Sequence, residues 1–367
     1  MPKQNADTPK VLIVGAGPTG LTAAVELARY GIIPDIIEKR GEASNLSRAV
    51  GILPESMAIL EPSGVAAAIR EESVRIEQVI FHQEANELAR IQLKEKGDFI
   101  VPDFTALAQD RTEMHLLAAF ERYGGKLRYC KKLTGLSQDE HGVSVKITKG
   151  SLSESAHYDY VIGADGVLSA VRESVGVEFS GYEIEGLWSI ADVDCDDWTE
   201  VTSFKIFLLG EGRIVIVVPL ESARFRVISN TEDALAALPV QMNVSNIRRA
   251  AAFPISVRQA EKYCVGRVFL AGDAAHCHSP AGGRGMNLGI ADAADLAKRV
   301  AFGGLEDYHQ ARHGIGSKTM AFTERGRKVV TSSNKLTRFL FISTLRVITR
   351  IPFVRRQMAI NFLRMES

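Results

Sequence analysis

The sequence predicts an α/β chain: a Rossmann-like domain carrying an inserted, mostly antiparallel β lobe and followed by a C-terminal helical segment. Three observations predict it. A β-α-β unit with a glycine fingerprint fills residues 10–40, apolar residues alternate over 73–104 and 180–254, and helical spacing returns after residue 286.

The first unit opens with residues 11–14, apolar and β-branched enough for a buried parallel strand. Gly15, Gly17 and Gly20 follow as G-x-G-x-x-G and open a helix over 21–30; a second strand, 34–37, ends on Glu38. Gly15 suits a tight turn, Gly17 a close approach of backbone to a pyrophosphate, and Gly20 close packing of helix on strand. The free N–H groups and positive end of the helix dipole favour phosphate. Glu38 stands where a carboxylate takes both ribose hydroxyls. Its charge would repel a 2′-phosphate, so FAD or NAD is expected over NADP, and the motif by itself does not choose between them.

The 367 residues suffice for two domains, or for one large α/β domain with an insertion. With zero formal net charge and 24% charged residues, nothing points to nucleic acid or another polyanion. The polar start runs straight into the first strand, so no signal peptide is expected, and no run of about 18 apolar residues reads as a membrane span. Cys130, Cys195, Cys264 and Cys277 form no C-x-x-C pair, which suits a reducing, cytoplasmic setting and speaks against a zinc site or redox dithiol. His276 and His278 have no acid beside them and read as polar loop residues, so no metal is expected.

Further along, Arg48 falls in a loop ahead of a helix from about Pro54, placed to reach back to cofactor phosphates or a ring edge. Residues 74–76, 79–81 and 88–93 alternate as antiparallel strands do. Glu113, Leu116, Leu117 and Phe120 have helical spacing, and Gly124-Gly125 stops that helix. Strands are expected over 127–130, 133–138 and 143–148, with 151–157 a polar hairpin loop. A strand at 160–162 runs into Gly163-Ala164-Asp165-Gly166 and a helix carrying Arg172, a loop that reads equally as structural or functional. Alternation resumes over 202–209, 213–218 and 224–229, while 192–197 reads as an acidic turn cluster lacking the glycine and spacing of an EF-hand. Gly272-Asp273 ends a strand at 268–271, where ligands bind in open α/β sheets. Gly282, Gly283 and Gly285 leave bare backbone for a flat ring, and the helix from about Met286 would point its positive end at a reduced flavin.

Together these stretches resemble the class A, single-component flavoprotein monooxygenases, the family of p-hydroxybenzoate hydroxylase and phenol hydroxylase. Gly15, Gly17, Gly20 and Glu38 are similar to the family's FAD fingerprint, and Asp165-Gly166 with Ser169 and Arg172 to its Asp-Gly motif. Gly272-Asp273 with Ala274, Ala275, His276, Pro280, Gly282, Gly283, Gly285, Met286 and Asn287 resembles its Gly-Asp motif. Ser47-Arg48-Ala49 and Gln109 with Glu113 also match, and the likeness covers roughly residues 10–312. It implies FAD contacts at the glycines with Pro18 and Thr19, and at the adenosine ribose through Glu38 with Lys39 beside it. Arg48, Gln109 and Asp273 would follow the pyrophosphate and ribityl chain, Asp165 would serve both FAD and nicotinamide, and Pro280 to Asn287 would line the isoalloxazine ring. No residue is assigned as catalytic, because the chemistry lies on the flavin.

The implied activity is hydroxylation of an aromatic or polycyclic small molecule by O2, with NADH or NADPH as transient donor, through a flavin C4a-hydroperoxide. A reductase or oxidase on the same scaffold would keep all three motifs. A halogenase is not expected, since Trp188 and Trp198 are isolated, and a disulfide reductase would need a second fingerprint and a cysteine pair. The FAD-binding domain is expected over 1–72, 105–179 and 263–326, the substrate lobe over 73–104 and 180–262, and a helical segment over 327–367. His82, His115, Tyr182 and Arg224 are the lobe and helix residues that could orient a phenol, and none is assigned. From Arg327 to Arg364 there are nine Lys or Arg and no Asp or Glu. Packing on the FAD domain, peripheral membrane contact and a dimer contact are all open for this tail.

Overall fold

The computed structural model describes residues 8–42, 49–95, 98–100, 104–280 and 283–363. Arg48 and Gly282 lie outside the described residues. Nine helices are used below: α1 (Pro18–Arg29), α2 (Pro54–Leu60), α3 (Val65–Glu72), α4 (Gln109–Arg122), α5 (Ala170–Ser174), α6 (Gly285–Phe302), α7 (Tyr308–Val330), α8 (Lys335–Ile348) and α9 (Pro352–Leu363).

The first sheet has six strands in the order Leu127–Arg128, Asp35–Ile37, Val11–Val14, Tyr160–Gly163, Val268–Leu270 and Cys264–Val265. All neighbours run parallel except the last pair. Val11–Val14 is buried along its whole length, as an apolar strand covered on both faces must be. Helix α1 buries Leu21, Ala23, Ala24, Val25 and Leu27, and its alanines let α6 pack closely on it.

The second sheet has eight strands, in the order His276–Cys277, Asn246–Ala260, Phe179–Asp194, Arg224–Ser229, Ile214–Pro219, Ser203–Leu208, Gln78–Gln83 and Asn86–Gln92. It is antiparallel apart from the pairing of Ser203–Leu208 with Gln78–Gln83. The period of two splits its residues cleanly. Phe207, Val215, Val217, Phe225 and Val227 pack under the segment containing Leu235 and Val244. Leu208, Ile206, Ile216 and Ile228 point the other way, toward residues of α7 and α8.

Three expectations need correction. Residues 152–158 form a strand paired along its length with Val143–Lys149, not a hairpin loop. A polar sequence suffices there because the strand is the outer member of a three-stranded sheet and leaves alternate residues in water. Asp192 and Asp194 belong to the long strand Phe179–Asp194 rather than to an acidic turn, and Asp192 is buried because an arginine on the next strand faces it. The tail packs chiefly on the β lobe: Ile342 joins Trp188, Leu208 and Ile214, and Ala359 joins Val79, Ile91 and Val218. Helix α7 also runs through the expected boundary at 326/327. Among the described residues, no helix is long and apolar enough to cross a membrane.

Candidate functional site

The loops that follow four parallel strands converge at one end of the first sheet. Gly15 follows Val11–Val14 with φ +104°, and a Cβ there would lie 2.3 Å from the carbonyl oxygen of Ala164, so only glycine fits. The chain then turns so that Pro18 begins α1 with Gly17 as N-cap and no acid in the first turn. A Cβ on Gly17 would meet nothing within 4 Å, which leaves the approach to the helix N–H groups open. Thr19 is wedged between two other elements: a side chain at Gly272 or at Gly289 would collide with its Oγ1.

Glu38 ends the next strand and is buried. Its Oε2 accepts the N–H of Ala16 at 3.0 Å and its Oε1 that of Arg40 at 2.9 Å, while the Arg40 guanidinium stands 3.1 Å away. Burial alone would raise this carboxyl, but Arg40 and the two N–H groups outweigh it and hold it below the usual range. Lys39 is exposed beside it. Gln109 opens α4, accepts the N–H of Ala49 at 3.1 Å and donates to Glu113 at 2.9 Å. Burial pushes Glu113 up to about 7 against the pull of Gln109 and Arg40.

Asp165 accepts from the Ser169 hydroxyl at 2.5 Å and the N–H of Val171 at 3.2 Å, and burial raises it despite both. Its side chain thus fastens the start of α5. Arg172 reaches out of α5 and donates to the carbonyl of Ala274 at 2.9 Å, with its guanidinium over the Phe179 ring. The Asp-Gly and Gly-Asp loops are therefore joined through an arginine. Gly272 has φ +60° and Asp273, next to it, is exposed.

Pro280 is exposed, and Gly283 adopts φ +61° while donating to the Pro280 carbonyl at 2.9 Å. Gly285 begins α6, again without an acid in the first turn, and Met286 is buried. Asn287 is fully buried and its side chain is spent on backbone: it donates to Gly51 and Gly283 and accepts from Leu53. It staples α6 to the segment ahead of α2.

The reading of His276 as a polar loop residue is wrong. It is 1% exposed, and its Nε2 lies 2.5 Å from Asp292, an acid sixteen residues on that sequence proximity does not reveal. Asp292 and Arg312 were missed, as were Arg40 and Arg284, which is buried against Phe322. One signal was available: Asp292 shares a helical face with the buried Gly289 and Leu296. Among the unassigned candidates, His115 pairs with Glu72 and Tyr182 with Glu324. Arg224 bonds Glu221, and His82 stacks on Phe207, on the sheet face turned away from α7 and α8.

These groups fit a dinucleotide: open N–H groups free of acids for the phosphates, and a buried, ionised carboxylate one strand away. All follow the carboxyl ends of parallel strands, where open α/β sheets bind ligands, so the fold and site define a dinucleotide-binding protein. Residues 8–323 match the family model described as an FAD binding domain, and the chain belongs to that family. It is an FAD-dependent monooxygenase. It is 32% identical to pentachlorophenol 4-monooxygenase of Sphingobium chlorophenolicum, over 91% of this chain and 67% of that protein. With rifampicin monooxygenase of Streptomyces venezuelae the identity is 33%, over 84% of this chain and 69% of the relative. The fold is similar to that of p-nitrophenol 4-monooxygenase from Pseudomonas putida, with a TM-score of 0.86, 21% identity and 98% of both chains covered. Anhydrotetracycline hydroxylase from Streptomyces rimosus superposes with a TM-score of 0.77 at 25% identity, over 97% of this chain and 76% of that one.

Proposed function

We propose that this protein hydroxylates a lipophilic aromatic or polycyclic compound, with NADH or NADPH as donor and O2 as the source of the oxygen atom. One observation carries the reading: the FAD-binding loops stand beside a largely apolar sheet face. Val50 and Leu53 of the first domain form one cluster with Val79, Ile91, Phe104, Val218 and Phe204 of the second. Bound FAD would supply electron transfer and oxygen activation, and the protein must orient substrate and exclude water.

In this reading Gly15, Gly17, Pro18, Thr19 and Gly20 hold the pyrophosphate, and Glu38 takes the ribose hydroxyls with Lys39 beside it. Arg48, Gln109 and Asp273 follow the ribityl–pyrophosphate chain, Asp165 supports FAD and nicotinamide, and Pro280 to Asn287 line the ring. The positive end of α6 would stabilise negative charge there. The carboxamide of Asn287 is spent on its own chain, so it would act by shaping backbone.

We assign the tail to the surface of an anionic membrane, as a peripheral contact. Leu336, Phe339, Leu340 and Val347 share one exposed side of α8, flanked by Lys335, Arg346 and Arg350. A cytoplasmic setting belongs to the same reading, and the four cysteines are free.

The deciding experiment incubates purified protein with NADH or NADPH, ¹⁸O₂ and a panel of phenols and polycyclic aromatics. One labelled oxygen in the product and substrate-stimulated nicotinamide oxidation are expected. Stimulated oxidation without label would favour a reductase or oxidase.

A further inference from the structure

Asp292 lies on α6 and is completely buried, on the face of the helix that carries Gly289 and Leu296. Its two oxygens serve three donors. Oδ2 accepts the N–H of Gly272 at 3.1 Å and meets Nε2 of His276 at 2.5 Å; Oδ1 accepts Nε of Arg312, from α7, at 2.7 Å. Burial pushes this carboxyl up, but His276 and Arg312 prevail and hold it low, so it is ionised. The contact with the carboxylate places a ring N–H of His276 on Nε2. Nδ1 is buried and has no hydrogen-bond partner among the described residues.

The bonds of Asp292 grip a single turn at both ends, residue 272 through its backbone and residue 276 through its ring. The middle of the turn is held from the other side by Arg172, which donates to Ala274. Asp273, exposed, is the one acid that this grip presents outward. A side chain at Gly272 would collide with Thr19, so the turn has no room to relax toward α1.

We propose that Asp292 is a positioning residue for the cofactor: by clamping Gly272 and His276 it fixes the turn that presents Asp273 to the ribityl–pyrophosphate chain. The proposal rests on the assignment of Asp273 made above. Arg312 supplies the charge that keeps Asp292 ionised, so α7 takes part in the cofactor site without touching it.

The test uses the full chain, stripped of flavin and titrated with FAD by fluorescence, with circular dichroism and the apoprotein thermal midpoint as readouts of fold. Asp292→Asn leaves one acceptor oxygen where two serve Gly272, His276 and Arg312, and turns an NH2 toward donors on one side. Asp292→Asn and Asp273→Asn are each expected to raise the Kd for FAD about tenfold or more. The double variant should be little worse than the weaker-binding single one, because both act on one contact. Additive losses would assign Asp292 to general stability and overturn the proposal. So would Asp292→Asn binding within about twofold of the parent while Asp273→Asn binds poorly. Parental binding by Asp273→Asn would instead remove the Asp273 assignment and the clamp's purpose with it. Should Asp292→Asn not fold, His276→Gln and His276→Leu decide. Glutamine keeps an N–H for Asp292 and leucine does not, so a loss in the leucine variant that glutamine restores supports the clamp. Equal affinities overturn it.

Discussion

Arg226 and Asp192 face each other across adjacent strands of the β lobe, Nε and Nη2 donating to the two carboxylate oxygens at 2.6 and 2.7 Å with neither side chain reaching water. Nη1 of the same arginine lies 3.5 Å from the carbonyl of Ala49, in the first domain, so the pair also touches the seam between lobes. Removing one partner strands a buried charge. Arg226→Leu or Asp192→Leu should cost about 3–5 kcal/mol in urea unfolding, and the double leucine variant should recover most of it. Equal losses in the single and double variants would show that packing, not charge, dominates.

Glu38 should govern FAD affinity. Glu38→Ala removes an ionised acceptor and is expected to weaken FAD binding about tenfold to a hundredfold, with Glu38→Gln intermediate. Flavin content of the purified variants, with circular dichroism as a control, checks this. Unchanged flavin content in a folded alanine variant would exclude Glu38 from the ribose contact.

Glu113 predicts how stability responds to pH. Its carboxyl is raised from 4.5 to about 7, so between those values the folded chain keeps a proton that the unfolded chain has released. The apoprotein should therefore lose stability as pH rises through this window, by roughly 3 kcal/mol at 1.36 kcal/mol per pH unit. Glu113→Gln should flatten this part of the profile. Urea midpoints at about pH 5 and about pH 8 for both chains provide the measurement. Parallel profiles would mean that Glu113 titrates normally.

The tail should bind vesicles. The full chain is expected to sediment with phosphatidylcholine vesicles containing phosphatidylserine, less with phosphatidylcholine alone, and less again in high salt. Phe339→Ser with Leu340→Ser should abolish sedimentation and leave turnover of a soluble substrate intact. Sedimentation indifferent to phosphatidylserine would remove the membrane assignment, and concentration-dependent dimers that these changes dissolve would replace it with a second copy.

The first domain was legible because its signals are local. Gly15, Gly17, Gly20 and Glu38 lie within one β-α-β unit, and each spacing follows from backbone geometry. Residues 152–158 were misread because a strand with one wet face needs no apolar run. Asp192 looked like a turn acid because its partner, Arg226, is 34 residues away. The same holds for His276, Asp292 and Arg312: a carboxylate's neighbours in space leave no trace in its neighbours in sequence. A burial pattern does leave one, and an acid on the apolar side of α6 was the available clue.

Helix α7 is joined to both halves of the enzyme. Near its start Arg312 bonds Asp292; farther along, His313 and Ser317 bond Gln259 of the large sheet, Phe322 stacks on Arg284, and Glu324 meets Tyr182. The helix ends at Val330, where a side chain on Gly212 would run into the carbonyl of Thr331. The consequence is a rule for recombination. A chimera that takes its substrate lobe from one relative and its cofactor domain from another inherits a mismatched α7 wherever the splice is made between 308 and 330. Grafts should keep α7 matched to both lobes at once.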